Sequence, residues 1–194
     1  MNALPLREKI LATIAEKSML KQRVFDNTFA VFNLLKDTLF EMASEMEDAL
    51  EGKVDRRVRL EYRDRGKHEA QLQIASDTLI FKMHTDIFHF DSSHIIWQNS
   101  YVQEDKANSY CGMIEIYDFL SDSFKDKRSA DEGYLIGRIF INRERMFFVE
   151  GKRQTSMRAI NFGKDEIDRE QLIRILESAI YYAIRRPKAD FRWH

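Results

Sequence analysis

The sequence predicts an α+β fold built from a long N-terminal helix, an antiparallel sheet of about five to seven strands and a C-terminal helix. Three observations predict it: a helical apolar stripe over residues 5–51, alternating polar and apolar residues through much of 54–162, and a second helical stripe over 166–186. Helices segregated from an antiparallel sheet are typical of the α+β class. The chain has 194 residues and no proline between Pro5 and Pro187, and we expect one domain over residues 1–194.

The N-terminal helix is predicted to begin at Pro5, which suits a first helical turn, and to end before Gly52. A bend or break near Ser18 is left open, because the apolar stripe loses phase there. The stripe from Val24 onwards contains Phe25, Phe29, Phe32, Leu35, Leu39, Met42, Met46 and Leu50, and beside it lie Val31, Leu34 and Phe40. An apolar face this wide exceeds the usual ~100°. We expect it to be covered either by the shorter helical part before Ser18 or by a second copy, in a homodimer.

The sheet is predicted from residue 54. Residues 54–65 alternate as a strand, Arg65-Gly66-Lys67 forms a hairpin turn, and strands resume at 70–74 and 79–83. The apolar residues then change from odd to even positions along the chain. One extra residue would explain this change, which predicts a β-bulge near Thr85–Asp86. A turn at Asp91–His94 would pair Phe90 with Ile95 and Phe88 with Trp97.

The second half of the sheet contains one ambiguous segment. Residues 98–109 are predicted to be a polar loop, and 113–124 fits either a strand, which its Ile, Tyr and Phe content favours, or a helix. With a helix there, the order of elements would resemble that of the type III secretion chaperones. A hairpin is predicted over 134–150 with its turn at 142–145, then a short extended piece at 157–162. In the last helix, Asp168 and Gln171 are typical of an N-terminal cap.

Motifs and composition weigh against the common nucleotide-dependent and hydrolytic classes of enzyme, although an enzyme with a scattered site stays open. There is no P-loop, dinucleotide fingerprint, CxxC, HExxH or GxSxG signature, and no cofactor is predicted apart from a divalent metal. The formal net charge of −1 argues against nucleic acid as a partner. A single cysteine and an early run of charges at Arg7, Glu8 and Lys9, without a long apolar stretch, favour the cytoplasm and no membrane span.

The best candidate for chemistry is a histidine cluster. His84, His89, Asp91 and His94 lie within eleven residues, and with the predicted bulge they would share the polar face of one bent hairpin. Two or three imidazoles and a carboxylate can bind a transition metal or transfer protons. The alternative is a solvated sheet face without a site.

Weaker candidates lie elsewhere in the chain. A basic set around the last hairpin could bind an anion, although Glu144 and Glu150 lie within it; it comprises Arg138, Arg143, Arg145, Lys152, Arg153 and Arg158. Cys111 could be a nucleophile but fits a buried, inert thiol better. Trp97, Tyr101 and Tyr110 could line a pocket or anchor the 98–109 loop.

These patterns favour a non-enzymatic binding or adaptor protein that self-associates through the long helix. The alternatives are a metal-dependent or acid–base enzyme at the histidine cluster, and anion or nucleic-acid binding by the basic set of residues 138–158, with Arg138, Lys152, Arg153 and Arg158 as the anion-binding candidates.

Overall fold

The strands of the described residues form an antiparallel sheet of six, in which they are ordered as they occur along the chain. The computed structural model describes residues 5–58, 60–120, 133–151 and 158–186. The strands are β1 (Leu60–Asp64), β2 (Glu69–Ile74), β3 (Asp77–Met83), β4 (Cys111–Leu120), β5 (Tyr134–Asn142) and β6 (Phe147–Gly151). The helices are α1 (Leu6–Leu50), α2 (Ser100–Glu104) and α3 (Arg169–Arg185). The predicted α+β class is confirmed.

Helices α1 and α3 contact each other and pack on one face of the sheet. Alternate strand residues point to this face, as the pleat requires. The predicted apolar positions of α3 are all buried there: Leu172, Ile175, Leu176, Ala179, Ile180 and Ala183. The predicted cap is confirmed as well, because the Asp168 side chain accepts a hydrogen bond of 2.8 Å from the Gln171 backbone N–H.

A glycine lets α1 approach the centre of the sheet closely. Gly112 of β4 lies under Thr28, and a Cβ at position 112 would fall 2.0 Å from Thr28 Oγ1. Thr28 is fully buried, and its hydroxyl donates to Val24 O at 2.7 Å. This close contact between α1 and β4 is therefore possible only because residue 112 is a glycine, which has no side chain.

The β1–β2 hairpin is attached to α1 through a buried lysine. Lys36 Nζ lies 2.8 Å from Asp64 Oδ1 and also donates to the Gly66 carbonyl. Gly66 has a φ of 116°, a conformation that glycine adopts readily. The predicted turn at residues 65–67 is confirmed, and its tip is fixed against the helix.

The second face of the sheet carries a smaller layer formed by residues 84–110 and 158–162. Its core contains Phe90, Ile96, Val102, Cys111, Met113, Phe140, Phe148, Ala159 and Phe162. Asn99 and Asn142 are buried and hold this irregular chain. Asn99 Nδ2 donates to three carbonyls of residues 159–162, and Asn142 Nδ2 donates to Tyr101 Oη at 2.9 Å.

The first half of the predicted sheet needs three corrections. Strand β1 begins only at Leu60, because the Asp55 carboxylate binds the Arg57 backbone N–H and guanidinium and stabilises a turn. Strand β3 ends at Met83, so the bulge near Thr85–Asp86 is wrong. The pairing of residues 88–90 with 95–97 is wrong too, because Ile95–Gln98 is a 3-10 turn in which His94 Nδ1 accepts from the Ile96 N–H.

Later segments also differ from the prediction. Residues 98–109 contain α2 and a 3-10 turn, capped by Asn99 and Asp105. Residues 159–161 form a 3-10 turn rather than an extended piece, whereas 152–157 lie outside the described residues. Strand β4 settles the ambiguous segment as strand up to Leu120, so the chaperone-like order of elements does not arise; residues 121–124 lie outside the described ranges. The bulge occurs instead between β4 and β5, at Ile116/Tyr117.

Candidate functional site

The four residues of the predicted histidine cluster lie in different surroundings. His84 Nε2 is 2.7 Å from Glu115 Oε2, and His94 Nε2 is 2.6 Å from Glu150 Oε1. His89 is exposed and packs on the rings of Trp97 and Tyr110. Asp91 accepts from Ser93 N–H at 3.0 Å, which stabilises its own turn. In the described part of the chain, no group of three His, Cys, Asp or Glu side chains is placed to hold a metal ion. Metal binding at these residues therefore stays a hypothesis.

Glu115 of β4 is a nearly buried carboxylate with several polar contacts. Its side chain is only 8% exposed. It accepts from Tyr117 Oη at 2.6 Å and from Arg138 Nε at 3.3 Å, in addition to its contact with His84. Burial alone would raise the pKa of Glu115, but the hydrogen bonds from Tyr117, His84 and Arg138 outweigh it and lower the pKa. Glu115 is therefore an ionised carboxylate held by three donors.

The register of the sheet places Glu115 in a row of alternating charges. Glu69 is opposite Lys82, Lys82 is opposite Glu115, Glu115 is opposite Arg138, and Arg138 is opposite Glu150. We call these five residues the charge row. Directly opposite residues of unlike charge stabilise a sheet. His84 and His94 attach to two different glutamates of this row, one on β4 and one on β6.

The charge row was missed by sequence reasoning. Lys82 and Glu115 belong to strands separated by 27 residues of loops and short helical turns, and Glu69 and Glu150 lie at the two ends of the row. Only the strand register brings them side by side. The sequence did contain one signal for it. Each of the strands β2 to β6 carries one of these five charged residues at a position where the alternation predicts a side chain on the polar face of the strand.

Three described members of the predicted basic set contact other groups of the protein. Arg138 contacts Glu115, Arg143 pairs with Asp105 at 2.6 Å, and an Arg145 nitrogen is 3.4 Å from Ile167 O. Arg158 is exposed, and Lys152 and Arg153 lie outside the described residues. The three described arginines that lie on or beside β5 thus have partners within the protein.

The remaining candidates have structural surroundings. Cys111 is a free, fully buried thiol, and burial raises its pKa well above the ordinary value. Trp97 Nε1 donates to Asp91 O at 2.8 Å, and Tyr101 donates to Glu144 while packing on Phe162. These aromatic side chains anchor the loop.

The N-terminal part of α1 projects from the fold. Every residue from 5 to 23 is exposed except half-buried Leu20, and Val24 is the first buried residue. We call residues 5–23 the N-terminal segment. The helix continues through Ser18 without a break, so the shorter part does not fold back over the remainder and that expectation is wrong.

The exposed side chains of the N-terminal segment include a stripe of three aliphatic residues. Leu6 is 74% exposed, Ile10 50% and Ile14 58%. Eighteen residues correspond to five helical turns, so these three lie in line with Val24, Thr28 and Phe32, which are fully buried. The face of α1 that packs on the sheet therefore continues as this exposed stripe beyond the edge of the sheet.

The two halves of α1 carry opposite charge. Residues 6–23 contain five basic and two acidic residues, whereas residues 24–50 contain six acidic residues and one basic residue, Lys36. Because Lys36 is paired with Asp64, the second half presents a strongly acidic surface.

A cleft of about 720 Å³ lies at the acidic end of α1, where the chain turns through residues 52–58 into β1. We call it the acidic cleft. Its apolar lining includes Leu50, Val54, Val58, Leu60 and Ile74, and Val54 and Val58 are 42% and 45% exposed. Its charged lining is Glu47, Asp48, Glu51, Asp55 and Arg56. A neighbouring cleft of about 470 Å³ contains Phe40, which packs edge-on against Tyr62.

Comparison of the chain with protein-family models, with curated proteins and with solved structures finds no match. Among the helices of the described residues, none has the length and apolarity that a membrane crossing requires.

Proposed function

We propose that the protein is a non-enzymatic binding module that self-associates, and that the N-terminal segment of α1 is its interaction element. The observation that carries the proposal is the exposed stripe of Leu6, Ile10 and Ile14, in line with the buried face of the same helix. A helix of a soluble protein buries its apolar stripe against something. The cytoplasm, suggested by one buried thiol, is the compartment we propose.

The energetics favour a partner for this segment. A short helix without tertiary contacts is marginal in water, and the stability of most helices comes from packing of an apolar face. Complete burial of one aliphatic side chain contributes about 1.5–3 kcal/mol. We propose a second copy of the chain as this partner, because twofold pairing is the commonest symmetry of soluble oligomers.

Light scattering coupled to size exclusion tests the proposal. Wild type at micromolar concentration should have twice the mass of one chain, and the double variant Ile10→Glu/Ile14→Glu should have the mass of one chain. Ala12→Glu is the matched control, because Ala12 lies on the opposite side of the same turns and is exposed. A monomeric wild type would end the self-association proposal, and a dimeric double variant would place the interface elsewhere.

The His84–Glu115 contact favours a second candidate, an acid–base or metal site. A carboxylate bound to one imidazole nitrogen orients the ring, as in many general bases and metal ligands. The side chain of His84 is 35% exposed, so solutes can reach it. Melting temperatures of wild type and His84→Gln, measured with chelator and with a panel of divalent ions, test this candidate. A rise that occurs only in wild type would support it, and identical curves would exclude the metal form.

A further inference from the structure

We propose that the acidic cleft at the C-terminal end of α1 is the docking site for the N-terminal segment of a second copy of this chain. The inference rests on the proposed self-association and names the surface that receives the segment. It describes a helix-in-groove contact, in which aliphatic side chains at a spacing of four residues enter an apolar groove.

Charge complementarity identifies the occupant. The N-terminal segment has an excess of three positive charges, and the lining of the acidic cleft has an excess of three negative charges. Lys17 and Lys21 follow Ile14 along the segment and are exposed. Complementary charge of this kind fixes register and selects the partner.

Apolar surface is present on both sides of the proposed contact. The stripe of Leu6, Ile10 and Ile14 is at least half exposed, and Val54 and Val58 at the cleft are more than 40% exposed. Apolar residues flanked by charges on two separate surfaces are typical of an interface between molecules.

The segment cannot reach the cleft of its own chain. Both belong to one continuous helix, Leu6–Leu50, and Ile10 is separated from Glu47 by 37 residues, which is about 55 Å of helix. The cleft that receives it must therefore belong to another copy. A pair in which each copy donates its segment and receives that of its partner is isologous and closes on itself.

Charge reversal provides a test that does not depend on a single weak variant. One variant carries Lys17→Glu and Lys21→Glu, and the other carries Glu47→Lys and Glu51→Lys. In each homodimer like charges would meet, so the dissociation constant should rise at least about tenfold. In an equimolar mixture, both contacts of the mixed dimer are complementary again, and native mass spectrometry should detect the mixed dimer. Glu45→Lys is the control, because Glu45 is exposed on the same helix but does not line the cleft.

The outcomes separate the two proposals. If wild type is dimeric, Ile10→Glu/Ile14→Glu is monomeric and the Glu47→Lys/Glu51→Lys variant dimerises like wild type, self-association stands and the acidic cleft is the wrong receptor. If wild type is a monomer, both proposals fail; binding of that monomer to anionic vesicles, lost in Ile10→Glu/Ile14→Glu, would assign the segment to a lipid surface instead. Near-ultraviolet circular dichroism should show that all variants keep the wild-type packing of the sheet and its layers, so that a lost dimer is not a lost fold.

Discussion

Replacing Glu115 by Gln should destabilise the protein strongly at neutral pH. The substitution keeps the shape of the side chain but removes the charge that binds His84, Tyr117 and Arg138. A hydrogen bond to a charged group contributes about 1.5–3 kcal/mol, and breaking a buried ion pair costs about 3–5 kcal/mol. His84 and Arg138 are 35% and 40% exposed and can return partly to water. We therefore expect a net loss of about 2–4 kcal/mol in the free energy of unfolding.

The loss should depend on pH in a defined direction. The pKa of Glu115 is lowered in the folded state from an ordinary value of 4.5. A lowered carboxyl pKa stabilises the fold above the unfolded pKa, and this contribution disappears as the pH falls through the folded pKa. The difference between wild type and Glu115→Gln should thus be complete at pH 7 and shrink below about pH 4.5.

Urea unfolding followed by circular dichroism, at one fixed protein concentration and from pH 7 to pH 3.5, measures both effects. Glu69→Gln is the control: it lies in the same charge row, but its ion pair with Arg65 is exposed and should contribute about 0–1 kcal/mol. A cost for Glu115→Gln below about 0.5 kcal/mol at pH 7, or an equal cost at every pH, would refute the role assigned to Glu115.

Three further predictions concern the core. Leu176→Ala should cost about 2–5 kcal/mol in urea unfolding, because Leu176 is fully buried against the sheet; a cost near that of the exposed neighbour Glu177→Ala would contradict this packing. Gly112→Ala should cost about 1–3 kcal/mol, because the new methyl group would overlap Thr28, and an unchanged melting temperature would show that α1 can move away freely. Cys111 should react with iodoacetamide slowly in the native protein and rapidly in denaturant, since it is buried and its pKa is raised; fast native labelling would revive the nucleophile hypothesis.

The two long helices and the hairpins over residues 60–74 and 134–151 were predictable because their signals are local. The stripe of α3, its Asp168 cap and the Gly66 turn each depend on residues within a few positions of one another. The chain from 84 to 110 was not predictable in this way. Its path depends on distant partners, such as the three carbonyls bound by Asn99, and on competition between turn-forming side chains and strand pairing.

The candidate sites differ in the same respect. Lys82 and Glu115 meet only through strand register, which a single sequence does not specify between segments joined by irregular chain. The broad apolar face of α1, with Phe40 beside it, was visible in the sequence, but the sequence did not show which of its residues are left exposed. The structure leaves Phe40 exposed, at 56%, beside Tyr62, and also Leu6, Ile10 and Ile14. The exposure of these last three follows from the continuity of α1, because an unbroken helix carries its N-terminal segment away from the sheet.

Hydrogen exchange at the amides of residues 6–19 tests most directly whether a partner covers the N-terminal segment. A projecting helix end without packing frays and exchanges almost as fast as a free peptide. At micromolar concentration we predict clear protection of these amides in wild type and its loss in Ile10→Glu/Ile14→Glu, with the amides of β4 equally protected in both. Free-peptide exchange of residues 6–19 in wild type, or equal protection in both proteins, would contradict the account.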